Sequence, residues 1–237
     1  MSLSIDKKNI IIIIIITFVI TFSLITYFVS YGIHNSEIEN LNELHLNEIS
    51  TIEEKNNNFN NVFLESLILE DSATRDRLLG NYYFDLALFL YNETLNQIDQ
   101  IKMNEYQNMT NSNCDIAIKT FFTSSQNYKS SSIFFNNSKK YTDNINYIKL
   151  IDIFINLTNS GEKLSMFRYN ASILLKQLTE NITYIDGVAN QGNVTIILNL
   201  FYQNISNYNL ELETYETLLD DIEEYDILGF NIHREPI

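Results

Sequence analysis

The sequence contains one cysteine, one proline, three histidines, six glycines and no tryptophan among 237 residues. With Cys114 alone, an intramolecular disulfide and a cysteine-based zinc site are excluded. The thiol is expected to be buried or free, with a bridge between two chains as the alternative. Because the glycines are scattered, the chain also lacks a phosphate-binding loop, a dinucleotide fingerprint and a nucleophile elbow. A folded domain of this chain must be stabilised by burial rather than by crosslinks.

Basic residues are scarce. The chain has 15 Lys and Arg against 30 Asp and Glu, for a net charge of −15. Nucleic acids and anionic lipid surfaces both require basic patches, so neither is an expected partner. The many acids offer carboxylate pairs everywhere, and no pair can be singled out for acid–base chemistry. The sequence predicts no enzyme, no cofactor and no catalytic residue.

Two groups of residues come closest to a metal site. Glu43, His45 and Glu48 lie in a predicted helix, where Glu43 and His45 point to different faces. The acidic run from Asp220 to Asp226 lacks the glycine-containing loop of an EF-hand. Both groups are interpreted as solvated helix surface, and no metal ligand is predicted.

What the sequence does contain is one long apolar stretch, Ile10–Val29, which opens with seven consecutive isoleucines and holds no charge. Twenty helical residues span roughly 30 Å, the thickness of a bilayer's hydrocarbon core. In lipid the backbone must bond within the segment, so a helix is expected despite the β-branched side chains. Membrane-spanning positions are predicted along this stretch, including Ile10, Ile16, Phe22 and Val29.

The charges that flank this stretch predict its orientation. Lys7 and Lys8 precede it, and the first charges after it are acidic, starting at Glu37, so the N-terminus is expected in the cytoplasm and the rest outside. A cleaved signal peptide is the alternative, but its apolar region would be about 7–15 residues long. The sequence predicts an uncleaved signal anchor in the cell membrane.

After the anchor, apolar residues recur every three to four positions, at Ile38, Leu41, Leu44 or His45, Ile49 and Ile52. This spacing predicts an amphipathic stalk helix over 35–55. The asparagine-rich run 56–61 is the expected break. Several further elements follow: a helix over 62–103, a connection over 104–113, a loop over 123–132, a helix over 141–157 with a strand as the alternative, a turn at 159–161, a helix over 162–181 and a turn over 186–193.

The last predicted helix has the most regular pattern in the chain. Its apolar residues alternate four and three positions apart without a miss: Val194, Leu198, Phe201, Ile205, Tyr208, Leu212, Tyr215, Leu219 and Ile222. Such a seam is typical either of a bundle within one chain or of a coiled coil between two copies. Tyrosines in the seam suit the wider core of a bundle, which is the favoured interpretation.

The N-glycosylation acceptor pattern occurs eight times, all after the predicted anchor: Asn92, Asn108, Asn136, Asn156, Asn170, Asn181, Asn193 and Asn204. Glycosylation is expected only if the host has the machinery. The alternative is that these residues are ordinary polar surface of helices and loops.

Together these patterns predict an all-α protein with a single transmembrane helix, an amphipathic stalk and an extracytoplasmic antiparallel helical bundle that ends in a long heptad-patterned helix. The predicted boundaries are a cytoplasmic N-terminus over 1–9, an anchor over 10–32, a stalk over 33–60, a bundle over 61–228 and a tail over 229–237. The function expected is a structural or accessory interaction module whose partners are the lipid bilayer and either another protein or a second copy. The alternative is a ligand-sensing bundle that works with a membrane partner.

Overall fold

The computed structural model describes the backbone of residues 7–224 and the side chains of residues 21–223. The predicted tail over 229–237, the first six residues and the side chains at Ile10 and Ile16 lie outside that range. Within the described part of the chain, no helix is both long and apolar enough to cross a membrane. The chain divides into two units, Met1–Glu54 and Lys55–Ile237.

The described residues are predominantly helical, which confirms the all-α class. The elements in chain order are α1 (Lys7–Leu95), α2 (Gln100–Ser138), a 3₁₀ turn (Lys139–Tyr141), α3 (Ile145–Glu180), β1 (Ile182–Ile185), β2 (Val188–Gln191) and α4 (Thr195–Glu224).

Within the second unit, the last part of α1 and the three other helices form an antiparallel bundle. The α1–α2 contact runs antiparallel, since Ser131 Oγ donates to the Ser66 carbonyl and Ser124 Oγ donates to the Ala73 carbonyl, both at 2.7 Å. Ser124 Oγ also lies 2.9 Å from Ser165 Oγ of α3. Short connections between consecutive helices favour this arrangement.

The remaining two sides of the bundle are closed by α4. Lys163 Nζ of α3 donates to Glu211 Oε1 at 3.3 Å, and Asn81 Nδ2 of α1 donates to the Tyr208 hydroxyl at 3.2 Å. Each helix therefore contacts two neighbours, and the helical bundle expected from the sequence is confirmed.

The helix starts follow from local chemistry. Asp99 Oδ1 accepts from the Ile101 amide at 2.8 Å and caps α2, while Asn144 Oδ1 accepts from the Asn146 amide at 2.9 Å and caps α3. The strands β1 and β2 pair as an antiparallel hairpin between α3 and α4. Asp186 and Gly187, at φ 51° and 87°, form its two-residue turn, the Asp-Gly signal of a hairpin. The prediction of a turn over 186–193 is therefore wrong at 188–191, where β2 lies.

The helices approach closely because three of them carry rows of small buried residues spaced seven apart. These rows are Ser66, Ala73, Gly80, Ala87 and Thr94 on α1; Thr110, Ala117, Ser124, Ser131 and Ser138 on α2; and Thr158, Ser165, Ser172 and Thr179 on α3. The hydroxyls are satisfied by backbone carbonyls or by one another, as when Thr94 Oγ1 donates to the Leu90 carbonyl at 2.8 Å. The rows make room for aromatic rings from the facing helices.

Four of the predicted interruptions are wrong. The run 56–61, the connection 104–113, the loop 123–132 and the turn 159–161 all lie inside helices. Asparagine and serine have low helix propensity, but packing of a buried face outweighs a few tenths of a kcal/mol per residue. The helical choice for 141–157 is right from Ile145 onward.

We expect Gly161→Ala to destabilise the bundle by about 1–3 kcal/mol through overpacking. A Cβ there would meet the ring of Tyr128 at 2.5–2.8 Å, and Tyr128 is fully buried. This cost should exceed the gain of about 1 kcal/mol in helix propensity. Urea unfolding followed by circular dichroism measures the change. Gly192→Ala is the control because nothing lies within 4 Å of its added methyl; equal effects of the two substitutions would contradict the packing.

Candidate functional site

Buried and half-buried polar side chains occupy the middle of the bundle. On α1 they lie between Phe63, which belongs to one apolar cluster, and Phe84, which belongs to the other. We call this set the polar layer; it consists of Glu70, Thr74, Arg77 and Asn81 of α1, Tyr128 of α2, Arg168 of α3, and Tyr208 and Tyr215 of α4. A buried polar set of this size calls for a chemical explanation, because buried polar groups are costly unless paired.

At one end of the polar layer, hydroxyl groups form a hydrogen-bonded chain. Thr74 Oγ1 lies 2.8 Å from the Tyr128 hydroxyl and donates to Glu70 Oε1 at 3.1 Å. The Tyr128 and Tyr215 hydroxyls are 3.3 Å apart. Burial is the main reason that the pKa of Tyr128 lies above its usual range, so the Tyr128 phenol stays protonated at neutral pH.

Arg77 is a permanent cation inside the bundle. Its side chain is only 6% exposed, and its Cζ lies 4.4 Å above the centre of the Tyr215 ring. Burial lowers the pKa of Arg77, but the tyrosines Tyr128, Tyr215 and Tyr208 together raise it above the ordinary value. Aromatic faces thus compensate part of the cost of burying the guanidinium.

Arg168 occupies a similar position on α3. Its Cζ lies 4.2 Å from the centre of the Tyr208 ring and 4.5 Å from that of Phe84. Asp85 Oδ1 lies 3.9 Å from Arg168 Nη1, and the Asp85 side chain is 68% exposed. An ion pair at that distance with an exposed partner contributes little, so the stacked rings are its principal contacts.

Three buried polar atoms of the polar layer have no hydrogen-bond partner in the described part of the chain: Arg77 Nε, Asn81 Oδ1 and Arg168 Nε. Asn81 Nδ2 donates to the Tyr208 hydroxyl, and Arg168 Cζ lies over the Tyr208 ring. Arg77 Cζ lies over the ring of Tyr215 instead. These three atoms are hydrogen-bonding capacity that the described residues leave unmet.

A second candidate is a groove of about 760 Å³ between α3 and α4. Met166, Phe167 and Leu218 give it an apolar floor, and Lys163 and Glu211 are paired across it. The groove is open to solvent and its charged pair is already satisfied, so it offers fewer unmet contacts than the polar layer.

The seam predicted on the last helix faces the interior of the bundle. Val194, Phe201, Tyr208, Tyr215 and Ile222 are buried. The residues between them, Leu198, Ile205, Leu212 and Leu219, are half-buried against the two apolar clusters. In this arrangement the seam is covered by the chain's own helices, which corresponds to the intramolecular interpretation of its heptads.

The asparagines of the predicted acceptor sites lie on the surface. Asn92, Asn108, Asn136, Asn156, Asn170, Asn181 and Asn193 are exposed, and Asn204 is half-buried. In five sites the required hydroxyl residue is buried instead: Thr94, Thr110, Ser138, Thr158 and Ser172. Residues two positions apart in a helix point about 200° away from each other. An exposed Asn followed two positions later by a small inward-facing Ser or Thr therefore reproduces the acceptor pattern without any glycan.

The remaining singled-out residues lie outside the polar layer. Cys114 is a fully buried free thiol, and burial raises its pKa to about 12, which leaves it unreactive near neutral pH. His45 and Glu48 approach to 3.7 Å on an exposed face, one turn apart. Phe22 and Val29 are exposed residues of α1.

Sequence reasoning missed the polar layer, although one signal was present. Arg77 falls seven residues before Phe84 and fourteen after Phe63, at a core position of the α1 heptads. A charged residue at a core position of a heptad indicates a buried polar group with a functional or structural role.

Comparison of the chain with protein-family models, with curated proteins and with solved structures gave no match.

We expect Tyr208→Phe to lower the free energy of unfolding by about 1–3 kcal/mol, because it leaves the buried Asn81 amide without its hydroxyl partner. Chemical denaturation with tryptic protection as a second probe measures the loss. Tyr202→Phe on the same helix is the control, since Tyr202 is 63% exposed and should change stability by less than about 0.5 kcal/mol. A loss no larger than that of the control would contradict the structural role of Tyr208.

Proposed function

We propose that the protein is a single-pass membrane protein whose helical bundle lies outside the cell and which acts as a structural or accessory interaction module. In this proposal Ile10–Val29 is the signal anchor, the N-terminus is cytoplasmic, and the stalk engages a protein partner. The observation that carries the interaction role is an apolar stripe along the first unit that no described residue covers.

The support for an anchor is the sequence itself. The uncharged stretch is long enough for one crossing, and its flanking charges favour a cytoplasmic N-terminus. Phe22, Phe28 and Val29, which belong to this stretch, are all more than half exposed. Exposed apolar side chains of that density are stabilised by lipid and are costly in water.

The stalk stripe consists of Ile38, Leu41, Ile49 and Ile52, all on one side of α1. Their side chains are between 43 and 59% exposed. An apolar stripe that repeats every three to four residues is the surface that one helix presents to another. With the seam of α4 occupied inside the bundle, this stripe is the better candidate for a contact with a partner.

Charge specifies the partner further. From residue 33 to residue 54 the chain carries six glutamates, at positions 37, 39, 43, 48, 53 and 54, and no lysine or arginine. A second copy packed in parallel would place acid against acid, which is unfavourable. The partner that fits is a helix with an apolar face flanked by lysine or arginine.

The topology is tested by adding a protease to intact cells. We expect digestion of nearly everything after Gly32, because that part should be outside, while an epitope at the N-terminus should survive. Permeabilised cells are the control, in which both are lost. Protection of the bundle in intact cells would contradict the proposed orientation.

The stalk contact is tested by photo-crosslinking in native membranes with benzoylphenylalanine in place of Leu41. We expect one discrete adduct, whose yield falls as salt screens the flanking charges. Mass spectrometry should place the adduct on a basic amphipathic helix.

Leu46 is the matched position for the same crosslinker. Its side chain is also exposed. On a helix that turns 100° per residue, it points about 100° away from the centre of the stripe. Equal adducts from both positions would contradict a stripe-specific contact. An adduct of twice the chain mass at position 41 would contradict the basic partner and favour self-association.

A second candidate function is a ligand-sensing module, which the polar layer favours. Binding sites in helical bundles are built from polar side chains that converge on the core, as Asn81 and Arg168 do at Tyr208. In this candidate function the bundle works together with a membrane partner.

A further inference from the structure

We propose that the outer face of α1 in the second unit is a docking surface for a second copy of this chain, which packs against it antiparallel and in one register. This docking goes beyond the stalk contact and depends neither on that contact nor on the proposed anchor. We call the surface the outer stripe; it consists of Leu64, Ile68, Asp71, Arg75, Leu78 and Tyr82.

The outer stripe is largely apolar surface that the described residues leave exposed. At about 100° per residue, its six members lie within about 80° of one another around the helix axis. The apolar side chains are 53% exposed at Leu64, 67% at Ile68, 38% at Leu78 and 63% at Tyr82. Single exposed apolar residues are ordinary, whereas several grouped on one face mark a surface for docking.

The order of residues in the outer stripe is self-complementary. Its members follow one another at intervals of 4, 3, 4, 3 and 4 residues, which is the same spacing from either end. A two-fold axis at the level of Ala73 therefore sets Leu64 of one copy opposite Tyr82 of the other, and Ile68 opposite Leu78. A symmetric dimer requires such a surface, because both copies contribute the same patch.

The two charged members select the antiparallel orientation. Asp71 and Arg75 pair within one helix, where Arg75 Nη2 lies 3.0 Å from Asp71 Oδ2, and both side chains are more than half exposed. In the antiparallel pair each Asp71 also lies opposite the other copy's Arg75, so four charges of alternating sign come together. A parallel pair in register would set Asp71 against Asp71 and Arg75 against Arg75, which is unfavourable.

The length of the complementary segment limits the strength of the contact. Beyond its ends, Asp85 of one copy would face Asn61 of the other, which adds no apolar contact. From Leu64 to Tyr82 the helix is roughly 27 Å long at 1.5 Å per residue. One helix face of that length belongs to the small class of protein interfaces, so the dimer should dissociate reversibly.

The test follows self-association of the full chain in detergent by sedimentation velocity over a range of protein concentrations. The unaltered chain should show a reversible monomer–dimer equilibrium. Asp71→Arg and Arg75→Asp should each weaken association by about tenfold or more, because each variant brings four like charges together. An equimolar mixture of the two variants should recover the affinity of the unaltered chain, since opposite charges meet again. A mixture that associates no more tightly than either variant alone would overturn the proposal, as would an unaltered chain that stays monomeric.

Lys129→Asp is the matched control for Arg75→Asp. It makes the same change of charge at an exposed position of α2, outside the outer stripe, and should leave the dimer affinity unchanged. A loss equal to that of Arg75→Asp would place the contact elsewhere and contradict the proposal. All three substituted positions are exposed, so circular dichroism should show a folded bundle in every variant.

Crosslinking between two variants tests the register. Copies with Leu64→Cys and copies with Tyr82→Cys are mixed and treated with a short bismaleimide. The unaltered chain is the control, because its one thiol, Cys114, is fully buried. An adduct of twice the chain mass should form only in the mixture, since antiparallel pairing keeps the two copies of position 64 roughly 27 Å apart. Adducts of equal yield from either variant alone would indicate a parallel pair and overturn the proposed register.

Discussion

The bundle depends on the close approach of three helices through rows of small residues repeated every seven positions. Ser124 illustrates the constraint: it is fully buried, and its hydroxyl bonds to the Ala73 carbonyl of α1 and to Ser165 of α3. A larger side chain would push both neighbours away, and an apolar one would lose the hydrogen bonds to both of them. At Gly80 of the α1 row, and at Gly161 between the first two members of the α3 row, an added Cβ would clash with the ring of Phe121 or Tyr128, so the rings lie directly on the backbone. Packing of this kind stabilises one register of the helices and disfavours others.

That tight frame explains how two arginines can reside in the core. Each guanidinium carbon lies over an aromatic ring, and the pKa of Arg77 is raised by its tyrosine neighbours in spite of burial. A cation in a low-dielectric interior interacts strongly with the groups that face it. The rings therefore provide part of the compensation for burying the two cations.

The α4 seam and the stalk stripe differ in whether they are buried or exposed. The second unit buries the α4 seam against its own helices, whereas the first leaves Ile38, Leu41, Ile49 and Ile52 exposed. A heptad-like pattern can mark either a face buried in the chain's own core or a face that docks onto a partner. The two kinds of face have the same period in sequence. The acceptor patterns for glycosylation show a related ambiguity. Inward-facing Ser and Thr, such as Thr158, produce them as a by-product of helix packing.

The sequence alone determined the features that depend on local periodicity. The helical class, the continuous α4 heptads and the exclusion of disulfides all follow from spacing or counting. The prediction of a loop over the serine-rich stretch 123–132 was wrong, because small polar residues carry no hydrophobic signal and their role depends on which helix faces them. The placement of Arg77 over Tyr215 and of Arg168 over Tyr208 was likewise decided by tertiary structure, because residues 138 and 40 positions apart come together only through the register of three helices. The spacing of apolar residues specifies which face of a helix is buried, and only packing specifies which helix lies against that face.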